Sequence, residues 1–162
     1  MFTVCVNPRN SLNTKRSIGN PTWLVATLSA PERIVNGGTE APGYAIEKST
    51  EVMNAQRKSF ARAVELGARI ASGTDAGTPY NFHGGLSHEL KLMHESGLGL
   101  ERVLTSATRD AAQLLGMGNV GTLEADKLAD FVLLDGDPLR DAEAYAHVAL
   151  VAQNGRIVVD RR

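Results

Sequence analysis

The sequence predicts an α/β protein with parallel strands, and three observations along the chain support that class. An apolar, β-branched run over residues 22–28 is typical of a buried strand. Residues 44–66 carry apolar side chains at three- and four-residue steps with charges between them, which predicts a long amphipathic helix. A second short apolar run follows at 69–74. Because a helix must return the chain across the sheet between parallel strands, this order predicts parallel pairing.

Glycine and proline residues predict where these elements begin and end. Pro31, Gly37-Gly38 and Pro42-Gly43 predict a long loop between the first strand and the helix. Gly67 is typical of the residue that stops a helix at its C-terminus. Residues 1–20 show neither helical period nor alternation, so we expect an irregular N-terminal arm.

The second half of the chain changes from helical to β patterns. Apolar stripes predict one helix over 86–95 and another over 100–115, the latter closed by Gly116. Strands are predicted at 128–134 and 148–153. Asn154-Gly155 followed by a strand over 156–160 is a strong hairpin signal.

Length and composition limit the possible functions. The chain has 162 residues, a net charge of −1 and a pI near 6.4. This length suits either one domain with a proper core or one modest domain with a small satellite. The balanced charge argues against a nucleic-acid partner. No apolar run approaches the ~20 residues of a membrane span, and the single cysteine, Cys5, excludes an internal disulfide. The cytoplasm is the expected compartment.

Asp75 is the main candidate for chemistry, because it follows a predicted strand inside the glycine-rich segment 72–77. A strand end fixes the position of a carboxylate, while glycines let backbone and substrate approach closely. Such a residue can serve as a metal ligand or a general base. The alternative is a turn aspartate that satisfies nearby backbone donors.

Three segments together resemble the C-terminal third of a metal-dependent amidohydrolase, in the branch of imidazolonepropionase-like and prolidase-like enzymes. They are SGTDAG at 72–77, LTSATRDAA at 104–112 and GTLEADKLADFVLLDGDP at 121–138. The resemblance covers residues 22–160, and the order and spacing of the segments make it specific.

The resemblance implies a fold that this chain encodes in part. The chain would carry the last two β/α units of a (β/α)₈ barrel over 21–117 and the C-terminal part of a small β-sandwich over 118–162, after the arm at 1–20. Its length is well short of the ~250 residues of a complete barrel.

The resemblance also implies a reaction, the hydrolysis of a C–N bond in a cyclic amide, an amidine or a dipeptide. The complete enzyme would hold one or two divalent metal ions, zinc being expected. Asp75 matches the aspartate that binds metal and takes the proton from the attacking water. His83, in the loop after Asp75, would contact substrate, although a solvated loop histidine is the alternative.

This chain departs from the family pattern, because it contains no His-x-His pair among His83, His88, His94 and His147. A catalytic zinc normally needs three protein ligands, so Asp75 alone is not expected to hold the metal. We therefore expect a truncated product or one piece of a split enzyme, which forms a homo-oligomer or complements another chain. A non-catalytic interaction module is the alternative function.

Three other patterns are predicted to be structural. His88 and His94 lie six positions apart, whereas helical metal ligands are typically four apart, so both are expected to be surface or packing residues. The glycine pattern at 116–121 ends a helix and does not open one, which excludes a dinucleotide site there. The acidic segment 135–138 lacks the other ligands of a calcium loop and is expected to be a turn.

Overall fold

The computed structural model describes residues 22–37 and 41–162, so the predicted arm at 1–20 lies outside the described residues. In chain order the elements are β1 (Trp23–Ala26), α1 (Ser29–Val35), α2 (Gly43–Glu65), β2 (Arg69–Ser72), α3 (Leu86–Glu95), α4 (Leu100–Ser106), α5 (Arg109–Leu114), β3 (Phe131–Leu134), a 3₁₀ helix (Ala142–Ala146), β4 (Val148–Gln153) and β5 (Arg156–Asp160). Within these residues the strands form one two-stranded and one three-stranded sheet.

The parallel pairing of the first two strands is confirmed. β1 pairs with β2 in a register that runs from Trp23 opposite Arg69 to Ala26 opposite Ser72. The Arg69 guanidinium lies over the Trp23 ring, 5.4 Å from its centroid. Both strands therefore end at the same edge of the sheet, and the chain segments that follow them leave from that edge.

The predicted loop between β1 and α2 was wrong in part, because it contains the helix α1. Pro31 is the third residue of α1, where the backbone N–H that proline lacks would have no partner inside the helix. A proline in the first turn is therefore compatible with a helix, and it is not by itself a loop marker.

The long helix and its stop signal are confirmed. α2 spans Gly43–Glu65. Gly67 adopts φ +70°. Its N–H donates to the Val64 carbonyl at 3.0 Å, while the Ala68 N–H donates to the Ala63 carbonyl at 3.0 Å. This pair of bonds is the Schellman motif, and glycine favours it because its backbone enters the left-handed region without strain.

The single helix predicted over 100–115 is divided into α4 and α5, with Ala107 and Thr108 between them. Hydroxyl groups bond to helix carbonyls at the break: Ser106 Oγ donates to Val103 O at 2.7 Å, and Thr108 Oγ1 donates to Leu104 O at 2.9 Å. Such side-chain bonds compete with the helical backbone pattern and can bend or end a helix.

The predicted hairpin is confirmed in the antiparallel sheet β3–β4–β5. β4 and β5 pair from Gln153 opposite Arg156 onward, with Asn154 at φ +50° and Gly155 at φ +74° between them. Two successive positive φ values are those of the type I′ turn that Asn-Gly favours. The predicted strand at 128–134 is shorter, at Phe131–Leu134, and the 3₁₀ helix was not predicted.

The main core lies between the parallel pair and the helices. It gathers buried side chains that include Leu28, Phe60, Ile70, Met93 and Val103, and Tyr145 joins it from the 3₁₀ helix. The predicted division of the chain at residue 117 stays a prediction. None of the helices in the described ranges is long and apolar enough to cross a bilayer.

Candidate functional site

The candidate site lies where the chain leaves β2. Asp75 follows the strand after Gly73 and Thr74. The Gly73 N–H donates to the Ala26 carbonyl at 2.8 Å, which ties this segment to the end of β1. A Cβ at Gly73 would lie 2.7 Å from Val25 Cγ1. Glycine is therefore required here by the close approach of the two chain segments, as the glycine-rich sequence suggested.

A tight turn presents Asp75. Asp75 adopts φ +53° and its side chain is half-buried. A left-handed backbone is uncommon for residues with a side chain, but aspartate and asparagine tolerate it better than most. The Asp75 carbonyl accepts the Thr78 hydroxyl at 3.0 Å. Asp75 can therefore be both a turn residue and a candidate site residue. The turn uses its backbone, and its side chain remains at the end of the strand.

A buried asparagine holds the rest of this turn. Asn81 is 2% exposed, and its Nδ2 donates to the Thr74 carbonyl at 2.5 Å. The backbone carbonyl of Asn81 accepts the Gly77 N–H at 2.8 Å. Buried polar groups need such partners, so both the side chain and the backbone of Asn81 fix the segment that contains Asp75.

The segment that follows α1 lies beside the turn that contains Asp75. A Cβ at Gly37, just after α1, would lie 3.2 Å from the Tyr80 ring. The chain that follows α1 therefore packs against the turn that holds Asp75.

A fully buried carboxylate ties α3 to the end of β1. Glu89 has no solvent exposure and accepts the backbone N–H groups of Leu28 and Ser29 at 2.8 and 2.7 Å. Burial raises the pKa of the Glu89 carboxyl above its ordinary value, while the two N–H donors act in the opposite direction. Since α3 follows the Asp75 turn in the chain, Glu89 joins the segments that leave both strands.

A second polar cluster links three helices. Glu32 on α1 lies 3.1 Å from His88 Nε2 on α3 and 3.7 Å from an Arg57 nitrogen on α2. These groups are partly exposed, so the cluster contributes little to stability by itself. It shows that His88 packs between helices, as predicted.

Among the described residues, the histidines do not form a ligand set of three or more donors with Asp75. His83 is exposed in the segment before α3, and its contact with substrate stays a prediction. His94 Nδ1 lies 3.0 Å from the Leu98 carbonyl, at the end of α3. Across residues 22–37 and 41–162, no three or more His, Cys, Asp or Glu side chains form a group that could hold a metal ion. The described donors therefore do not by themselves fit a catalytic zinc, which needs three.

Sequence reasoning missed the roles of Asn81 and Glu89. A signal existed for Glu89, which lies three residues after Leu86 and four before Met93. It therefore shares the helix face that was predicted to be apolar, and a charge on such a face indicates a buried, satisfied carboxylate. No comparable pattern marks Asn81, because its bonds depend on the three-dimensional turn.

Comparison with known sequences gives a consistent set of relatives. Residues 14–159 match the amidohydrolase family. The imidazolonepropionase of Symbiobacterium thermophilum is 36% identical over 147 residues, a match that covers 85% of this chain and 33% of that protein. The imidazolonepropionase of Syntrophobacter fumaroxidans is 41% identical over 78 residues, covering 46% of this chain and 18% of that protein.

Solved structures with a similar fold belong to the same group. A Xaa-Pro dipeptidase with methionine bound in its active site matches with a TM-score of 0.76 and 31% identity, over 84% of this chain and 34% of that one. A putative prolidase from Bifidobacterium longum matches with a TM-score of 0.77 and 31% identity, over 85% and 35%. The chain spans about one third or less of the length of these relatives.

Proposed function

This chain belongs to the amidohydrolase family, and on that premise we propose that it supplies part of a metal-dependent hydrolase that cleaves a C–N bond. The proposal depends most on one observation: Asp75 follows a parallel strand whose end is tied to that of its neighbour through Gly73. In α/β folds, catalytic groups lie at the C-terminal ends of the parallel strands.

The proposed role of Asp75 is that of a proton acceptor and ligand. Its carboxylate would take the proton of the attacking water and pass it to the leaving nitrogen. It would also supply one oxygen ligand to a divalent metal, which we propose to be zinc. When bound, such an ion lowers the pKa of a coordinated water toward ~7. Further ligands must come from outside the described residues, because those residues form no group of three or more donors that could hold a metal ion.

The proposed substrate is a small cyclic amide or a dipeptide. The names of the relatives support this class, since they include imidazolonepropionases and a Xaa-Pro dipeptidase. His83, in the exposed segment after the Asp75 turn, is the proposed substrate contact.

The proposed architecture is the last two β/α units of a barrel followed by the C-terminal part of a β-sandwich. The parallel pair β1–β2 and the antiparallel sheet β3–β4–β5 support that assignment. The similarity to prolidase-like structures, of which this chain covers about one third, supports it further.

The test is a complementation assay. The chain is co-expressed with the part of the Symbiobacterium thermophilum imidazolonepropionase that lies outside its match to this chain, called here the complementing segment. Purified mixtures are supplied with zinc and assayed for hydrolysis of imidazolonepropionate and of a Xaa-Pro dipeptide. We expect Asp75→Asn to lower hydrolysis by about 10³-fold or more, because the proton acceptor is lost.

The matched control is Asp126→Asn. Asp126 is an exposed aspartate that also has a positive φ, +66°, so the substitution is equivalent in backbone strain and in charge. Full activity of Asp75→Asn, or equal losses in both variants, would contradict the proposed role of Asp75.

A second candidate function is a non-catalytic interaction module. It is favoured by the absence of a three-ligand cluster in the part of the chain that the structure describes. On this reading the chain binds another polypeptide or itself, and no variant of Asp75 changes any hydrolytic rate.

A further inference from the structure

Two strained residues lie in the turn that presents Asp75, which spans residues 74–81. In the described part of the chain four residues other than glycine have positive φ, and two of them, Asp75 at +53° and Tyr80 at +63°, belong to this turn. A left-handed backbone is uncommon for aspartate and rarer for a bulky aromatic residue. Such strain persists only where surrounding contacts outweigh it, and it is concentrated at functional sites. Other contacts must therefore hold the turn in this shape.

Asn81 makes three hydrogen bonds that close the turn. Its side chain is 2% exposed, and Nδ2 donates to the Thr74 carbonyl at 2.5 Å. Its backbone carbonyl accepts the Gly77 N–H at 2.8 Å, and its backbone N–H donates to the Thr78 carbonyl at 3.0 Å. The Nδ2 bond encloses both strained residues, because Thr74 precedes Asp75 and Asn81 follows Tyr80. Loss of this donor would remove a contact that opposes the strain.

We infer that Asn81 is a positioning residue for the proposed hydrolysis, which acts through the backbone of the turn to hold the Asp75 carboxylate in place. The inference rests on the proposed function, in which Asp75 takes the proton. Thr74 follows Gly73, whose N–H donates to the Ala26 carbonyl at the end of β1 at 2.8 Å. Asn81 therefore ties the far end of the turn to the part that the two parallel strands anchor.

The first test measures the conformation of Asp75 in the isolated chain. In NMR spectra, the NOE between the amide and α protons of one residue is strongest when φ is positive, because the two protons then approach most closely. We expect a strong NOE at Asp75 in the unmodified chain and a weaker one in Asn81→Ala, since the turn relaxes toward negative φ. An unchanged NOE in Asn81→Ala would overturn the inference.

The second test measures turnover by the chain assembled with the complementing segment and supplied with zinc, on the same two substrates. Asn81→Ala should lower kcat by about 10- to 100-fold, because a small displacement of a reacting group slows the chemical step. It should change KM less than about threefold, because Asn81 is buried and acts only through the turn. A kcat within twofold of the unmodified complex, or a loss confined to KM, would overturn the inference.

Ser106→Ala is the matched control for a buried hydrogen bond lost elsewhere. Ser106 has no solvent exposure, and its hydroxyl donates to the Val103 carbonyl at 2.7 Å at the end of α4. Both variants should lower the melting temperature, whereas Ser106→Ala should change kcat less than about twofold. Equal losses of kcat in the two variants would show that kcat follows stability, which would overturn the role of Asn81.

Asn81→Gln keeps the inference testable if Asn81→Ala does not fold. It retains a buried amide but moves the donor by one methylene group, so the NOE at Asp75 and kcat should both fall. No change in either would overturn the inference. A weaker NOE in the variants, together with no hydrolysis by the unmodified complex, would support the positioning of Asp75 by Asn81 while the proposed reaction fails.

Discussion

The two sheets of the molecule complete their strand pairing in different ways. In the antiparallel sheet, β3, β4 and β5 pair in the order β3–β4–β5, and the turn at Asn154-Gly155 joins two of them directly. In the parallel sheet, β1 and β2 are separated by the whole of α1 and α2, and within the described residues β1 has only β2 as a partner strand. Local sequence is sufficient to form a hairpin, whereas parallel pairing depends on contacts between distant residues.

The two sheets also differ in what their side chains bury. β2 contributes Ile70 and Ala71 to the interior, whereas β5 leaves Ile157 and Val158 more than half exposed. The parallel region therefore holds both the main core and the candidate site, and substitutions there should have the larger effects.

The largest expected effect is in the parallel region. Phe60, on α2, is 2% exposed, and Phe60→Ala should lower the free energy of unfolding by about 3–5 kcal/mol, through lost burial and the cavity that remains. Ile157→Ala, at a site 59% exposed on β5, should change it by about 0.5 kcal/mol or less. Urea denaturation of both variants checks the contrast, and equal losses would show that the two regions do not differ in this way.

A smaller effect is expected where Glu89 joins α3 to the end of β1. In Glu89→Gln one amide oxygen can still accept, but the –NH₂ group faces the other buried N–H. We expect a loss of about 1–3 kcal/mol at neutral pH, from the donor left without an acceptor. Native-state hydrogen exchange should show faster exchange at Leu28 or Ser29 than in the unmodified chain. Unchanged exchange at both would contradict the assigned bonds.

Comparison of the unmodified chain with Glu89→Gln also tests how the ionisation of Glu89 makes stability depend on pH. Burial raises the pKa of Glu89 in the folded state above its ordinary value of about 4.5, so the folded state binds this proton more tightly than the unfolded state. Its contribution to stability is then fully present below pH 4.5 and is lost as pH rises through the folded pKa. The free energy of unfolding of the unmodified chain should therefore decrease relative to that of Glu89→Gln as pH rises from 4.5. Melts of both proteins measure this difference. An increase would show that the N–H donors outweigh burial.

The contrast between the two regions explains what the sequence could predict. The hairpin and the Gly67 stop follow from turn chemistry, which acts over a few residues. The parallel pairing of β1 and β2 was predicted from the order strand, helix, strand, which the hydrophobic period of each segment indicates. Asp75 could be proposed as a candidate because a carboxylate after a short apolar run is visible in the sequence. α1 was missed because Pro31 is typical of a loop, although a first-turn proline is compatible with a helix.

The supporting bonds of the site could not be predicted to the same degree. The Asn81 and Glu89 contacts join residues 7 and about 60 positions apart, and nothing in a local pattern specifies such partners. The division of 100–115 into two helices depends on hydroxyl bonds that compete with the backbone, and the periodicity of that segment was intact.

The central claim is that Asp75 serves as a metal ligand only when further ligands, here those of the complementing segment, join it, and the zinc content of the assembled complex tests it most directly. Elemental analysis should find little zinc in the isolated chain and about one ion or more per complex with the complementing segment. Asp75→Asn should lower that content by about tenfold or more, while the complex still forms. Equal zinc in the Asp75→Asn complex, or a full complement of zinc in the isolated chain, would contradict the claim.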